Sequence, residues 1–206
     1  MFNNMDRNIF TKFNLYDQIG YLMVGSISVL IIVINTEFFY DFRLPDLSIN
    51  NFIIWFVVVY FLGHLIQALS NLINKIPLIK LLIKEDKGKF NDDQKEILEG
   101  AKKFFKLRSQ NESVLWNLCY LYSLSKDTTG QIQAFNAYYS MYRGWLVVFL
   151  LESVFLFIQL INTRTLFNLS LLIVCFIITA IFYTRSRRFW DYLTSKVLQT
   201  YIITRT

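Results

Sequence analysis

The apolar positions of this chain gather into four runs that are almost free of charge. Gly20–Ile34 stands between Asp17 and Glu37, and Phe52–Leu62, continuing to Asn74, stands between Asp46 and Lys75. Gly144–Ile158, with Glu152 as its single acid, lies between Arg143 and Arg164, and Leu166–Tyr183 lies between Arg164 and Arg185. Each window holds the ~20 helical residues that cross a ~30 Å hydrocarbon core. β-branched residues are frequent in these runs, but a lone strand cannot satisfy its backbone in lipid, whereas a helix bonds its interior groups locally. A closed barrel would need roughly eight or more alternating strands, and the alternation is not there. The expected fold is all-α: a polytopic membrane protein with four transmembrane helices and a small helical cytoplasmic subdomain. Its expected segments are 1–36 (N-terminal segment and first span), 52–74 (second span), 75–143 (cytoplasmic helical segment), 144–162 (third span), 165–184 (fourth span) and 185–206 (basic tail). The first run is long and lacks a small-residue cleavage site after it, so it reads as an uncleaved anchor.

Charge sets the orientation. Of 21 Lys and Arg, only Arg43 and Arg164 fall in the two short connections on one side of the spans. All the others lie in the N-terminal segment, the segment between spans two and three, and the tail. Basic residues mark the cytoplasmic side, which puts both termini and residues 75–143 inside. The net charge of +6 follows from that bias and calls for no nucleic acid. Tyr16, Tyr21, Trp55, Trp145, Tyr183 and Trp190 fall near span ends, where aromatic belts belong.

Within 75–143, Ile76–Ile83 opens with a proline in first-turn position and reads as an interfacial helix or an extension of span two. Asn91-Asp92-Asp93-Gln94 reads as a helix start with acids in the first turn. That helix carries Ile97, Ala101, Phe104 and Phe105 on one face and runs to Leu107. Ser109 and Glu112 have capping-box spacing and open a second helix, lined by Leu115, Leu118, Cys119 and Tyr122. Asp127-Thr-Thr-Gly130 caps a third, which runs unbroken into span three, with Gly144 as its one soft point. Helices this short are marginal alone and must pack on one another and on neighbouring subunits. Cys119 and Cys175 lie at different depths and read as unpaired packing residues of a reducing compartment.

Three features carry candidate chemistry. Tyr60, His64, Gln67, Asn71 and Asn74 recur at steps of four, three, four and three, a single helix face. A polar face avoids lipid, so it reads either as a pore or cavity lining or as hydrogen-bonding glue between helices, worth about 0.6–2 kcal/mol per contact. Glu152 is the one carboxylate inside a span. Counted at ~1.5 Å per residue, it lies within ~5 Å of the depth of His64, which makes the two an intramembrane ionisable pair; the alternative is a plain hydrogen bond to a hydroxyl. Arg185, Arg187 and Arg188 form a juxtamembrane cluster suited to anionic lipid or to docking a partner. Walker loops, nucleophile elbows and paired-histidine zinc motifs are missing, and His64 is the only histidine. The expectation is a non-enzyme without cofactor or metal.

Three motifs add a family likeness: Leu15-Tyr-Asp-Gln-Ile-Gly-Tyr-Leu22, Phe135-Asn-Ala-Tyr-Tyr-Ser-Met-Tyr-Arg143 and Arg185-x-Arg-Arg-Phe-x-x-Tyr192. Together they resemble small four-span membrane proteins of bacterial phage-defence loci. These include the accessory membrane proteins encoded beside the RNA-guided RNA nuclease of type VI-B CRISPR systems, and the membrane component of two-gene defence systems. The sequence departs from the pattern at Val24-Gly25, where Pro-Gly is expected. The resemblance implies an oligomeric membrane effector or sensor that perturbs the envelope during infection. The partners it implies are the lipid bilayer, further copies of the chain and a cytosolic defence protein. Two other readings stand beside a homo-oligomeric pore gated by its cytoplasmic helices. One is a non-conducting scaffold docking a cytosolic partner through its helical loop, the other a small ion-coupled transporter using Glu152.

Overall fold

The structure, a computed structural model, describes residues 18–42, 51–73, 90–106 and 111–205. Among these it is all-helical, without strands. Six α-helices follow in order: α1 Met23–Tyr40, α2 Phe52–Ile73, α3 Asp92–Phe104, α4 Glu112–Lys126, α5 Gln131–Thr163 and α6 Leu166–Thr204. A π-helical turn, Gln18–Leu22, leads into α1. Four helices are long and apolar enough to cross a membrane, those spanning Gly20–Tyr40, Phe52–Leu72, Gln131–Thr163 and Leu166–Thr204. The chain is a multi-pass membrane protein. The interfacial helix expected at 76–83 lies outside the described residues.

The chain divides into two compact units, one of Met1–Ile73 with Ala137–Arg188 and one of Asn74–Asn136 with Phe189–Thr206. In the first unit Val24, Ile66, Met141, Leu146, Val147 and Val148 form one buried cluster. Leu156, Leu172 and Cys175 form another, edged by Phe39, Phe149 and Phe155. Most remaining apolar side chains of these helices are exposed, among them Ile53, Phe61, Phe167 and Phe176. That distribution suits lipid as the surrounding solvent. Helix α1 ends where Asp41 takes the left-handed conformation (φ 49°) and the Asp41 and Phe42 N–H groups both donate to the Thr36 carbonyl, the latter at 3.1 Å. Two residues join α5 to α6. Arg164 is left-handed (φ 50°) and its N–H donates to the Leu160 carbonyl, while the Thr165 hydroxyl accepts from the Asn168 N–H and caps α6.

The second unit packs α3, α4, residues 131–136 of α5 and residues 189–204 of α6 around one core. That core holds Leu98, Ala101, Leu115, Cys119, Ile132, Leu193, Val197, Leu198 and Tyr201. Its helix ends are set by side chains. The Asn91 Oδ1 accepts from the Gln94 N–H at 2.8 Å and the Gln94 Oε1 accepts from the Asn91 N–H at 3.1 Å, a reciprocal capping box. Helix α4 begins at Glu112 with Asn111 as its cap, accepting from the Ser113 N–H; Ser109, the expected cap, lies outside the described residues. Asp127 accepts from the Thr129 N–H and hydroxyl and from the Ile132 N–H, and so starts α5. Burial pushes this carboxyl up, but the Thr129 and backbone hydrogen bonds and the Lys196 charge outweigh it and hold it below its ordinary value.

Residues 189–204, part of the expected basic tail, form the end of α6 and pack within the second unit. Leu193, Val197 and Tyr201 are spaced by four and fall on one face, which the unit buries. Ser123 donates to the Val197 carbonyl at 2.8 Å and Tyr122 to that of Thr204 at 2.9 Å, fixing α4 against α6. Cys119, fully buried in this core, has its thiol pushed up to about 11 by desolvation. A thiol that neutral should resist maleimides at pH 7 until the unit opens, because thiolate is the reactive form. Mass-spectrometric labelling with and without denaturant checks this; fast labelling of native protein would contradict the packing.

Candidate functional site

Three glycines bring α1, α2 and α5 close enough for one amide to tie them together. A Cβ on Gly25 would collide with the Val59 carbonyl, and one on Gly63 with the Tyr21 carbonyl. A Cβ on Gly144 would stand 2.6 Å from a Val24 methyl and 3.2 Å from the Gln67 side-chain nitrogen. Small residues permit such backbone approach between membrane helices. At this crossing Gln67 is 7% exposed, and its Nε2 donates to the Gly20 carbonyl at 3.2 Å and to the Ser140 carbonyl at 2.9 Å. Gly20 belongs to the π-helical turn, where the backbone ladder is displaced. Gly144, expected as the one soft point of this unbroken helix, is therefore a contact surface within it.

The polar line of α2 divides along its length. Gly63, Ile66, Gln67 and Ser70 are buried, while His64 and Asn71 are exposed and Tyr60 is half-buried. At ~100° per residue, Gly63, Ile66 and Ser70 point to one side and the polar line runs along the edge of that side. Gln67 sits on the inward margin and His64 on the outward one. The outward residues form an aromatic stack. The ring of His64 lies 3.8 Å from that of Tyr21 at an interplanar angle of 18°, and 4.5 Å from that of Tyr60, edge to face. Asn71 is held by Arg143, whose guanidinium donates to its Oδ1 at 3.4 Å and to the Ser70 carbonyl at 3.0 Å, and rests 5.2 Å from the Tyr139 ring centre. Asn74 lies outside the described residues.

Glu152 and His64 have different partners. The Glu152 Oε2 accepts a 2.7 Å hydrogen bond from the Asn35 Nδ2 of α1, whereas His64 is engaged by its two tyrosines. Depth along the membrane made the pair plausible, but α1 supplies the nearer polar group. Sequence reasoning passed over Asn35 and read Tyr21 as an aromatic-belt residue, without its place beside His64. The signal for Asn35 was its isolation as the one amide in α1. Arg185, Arg187 and Arg188 are all exposed at the end of the first unit, with Arg187 5.9 Å from the Tyr183 ring centre. Among the described residues no group of three or more His, Cys, Asp or Glu could hold a metal ion. Comparison of the chain with models of protein families, with curated proteins and with solved structures finds no match.

Proposed function

We propose that the protein is a homo-oligomeric effector or sensor of a bacterial inner membrane, with both termini and the second unit cytoplasmic, that perturbs or permeabilises the membrane in antiviral defence. The observation that carries this reading is the outward stack of Tyr21, Tyr60 and His64. It is polar at its edges, and on a single chain its His64 is exposed while Tyr21 and Tyr60 are half-buried. Polar side chains facing lipid are costly, and a second copy or a shared water-filled path removes that cost. The basic residues gathered on one side and the three family-like motifs support the orientation and the defence context. The protein has no assigned catalytic residue in this reading. Gln67 is spent on packing, so the residues available to line a shared path are Tyr60, His64 and, beside Arg143, Asn71.

Cysteine replacements at Tyr60 and His64 in reconstituted liposomes should react with a membrane-impermeant thiol reagent and cut dye leakage. Replacements at Val58 and Leu65, on the opposite side of α2, should do neither. Equal labelling of both sides sinks the shared-path reading. Oligomers that form but never leak would favour the scaffold docking a cytosolic partner.

A further inference from the structure

The first unit holds a cleft of about 230 Å³ among α1, α5 and α6, and its composition points to a ligand. Asn35 and Glu152 supply its polar groups, and Phe38, Phe39, Phe149 and Phe167 line much of its wall. The aromatic side is organised: the rings of Phe38 and Phe167 lie 5.4 Å apart, and those of Phe38 and Phe39 5.0 Å apart, edge to face. Ile34, Phe38 and Phe167 are exposed, so the cleft opens on the lipid-facing surface of the helices. Glu152 uses one oxygen for Asn35. Its other oxygen has no hydrogen-bond partner among the described residues.

We infer that this cleft binds a small lipophilic organic cation, with Glu152 as its counter-ion and the phenylalanine rings as its cage. A carboxylate within a membrane span calls for a partner, and Asn35 offers a dipole but no charge. Aromatic faces attract cations that have shed water. A bare metal ion would lose its hydration to walls that give nothing back, and an uncharged hydrocarbon would leave the carboxylate without its complement. A cation clothed in methyl or phenyl groups satisfies both surfaces. The volume lies below the ~300–1,000 Å³ of sites for drug-sized molecules, which selects a quaternary ammonium with one ring. The site lies within one copy of the chain and does not rest on the oligomeric reading above.

Benzyltrimethylammonium and its uncharged carbon isostere, neopentylbenzene, separate charge from shape. By equilibrium dialysis against the full chain in lipid nanodiscs, the cation should bind saturably and at least about tenfold more tightly than the isostere. Glu152→Gln keeps an acceptor for Asn35 and should weaken cation binding about tenfold or more while leaving the isostere unchanged. Leu171→Phe narrows the cleft from its apolar wall with Glu152 untouched, and should remove binding of both. The proposal is overturned if wild-type protein does not bind the cation, if the isostere binds as well, or if either variant binds the cation like wild type.

Discussion

Gly63→Val should force α1 and α2 apart and lower the stability of the first unit by about 3 kcal/mol, the upper end of what overpacking costs. The reason is the identity of the atom in the way. The added Cβ meets the Tyr21 backbone carbonyl, and the reciprocal contact of Gly25 is with the Val59 carbonyl. A side chain could swing aside; a helix carbonyl moves only with its helix. Separation would also stretch the bonds from Gln67 to the Gly20 and Ser140 carbonyls, which are 3.2 and 2.9 Å long. Gly25→Ala and Gly63→Ala should together cost less than the sum of their separate effects, since one displacement relieves both clashes. Reversible unfolding in mixed micelles followed by circular dichroism measures this, with Ala180→Val on the exposed side of α6 as the baseline. If Gly63→Val behaves like Ala180→Val, the helices are not in backbone contact at this crossing.

That crossing also marks where sequence reasoning stopped. A glycine in an apolar run is consistent with a soft joint and with a close approach, and only the neighbouring helix decides. Gly144 was open to the first reading until Val24 and Gln67 were found against it. The same limit applies to Glu152: counting residues gives depth in the membrane but not which helix stands beside it, so Asn35 could not be told from His64. The line of Tyr60, His64, Gln67 and Asn71 was legible as a stripe because period alone defines it. Its division into an inward Gln67 and an outward His64 was not, because the stripe follows the edge of the contact rather than its centre. Local chemistry was readable where the partner is close in sequence. Asn91 with Gln94 and Asp127 with Ile132 set helix starts within five residues. The end of α6 was hidden by charge: Arg185, Arg187 and Arg188 drew attention from the four-residue spacing of Leu193, Val197 and Tyr201, which builds the core of the second unit.

Tyr201 offers the sharpest test of that core, because its ring and its hydroxyl should act in opposite directions. The side chain is fully buried, with the rings of Phe104 at 5.8 Å, Tyr122 at 5.9 Å and Phe105 at 6.0 Å, and the Arg205 guanidinium 5.4 Å from its ring centre. Its hydroxyl has no hydrogen-bond partner among the described residues. A buried polar group without a partner carries a desolvation cost of about 1–3 kcal/mol. Tyr201→Phe removes that cost and keeps the aromatic packing, so the second unit should become more stable by about 1 kcal/mol, the lower end of that range. Tyr201→Ala removes the ring as well, and should destabilise the unit by about 3–5 kcal/mol through the cavity it leaves. Native-state hydrogen exchange resolves both effects on the amides of α4 and of residues 189–204, which share this core. Opposite shifts from the two variants would confirm that the ring holds the unit together while the hydroxyl strains it. A loss of protection in Tyr201→Phe would show instead that the hydroxyl is satisfied, and that the core is more polar than its described side chains imply.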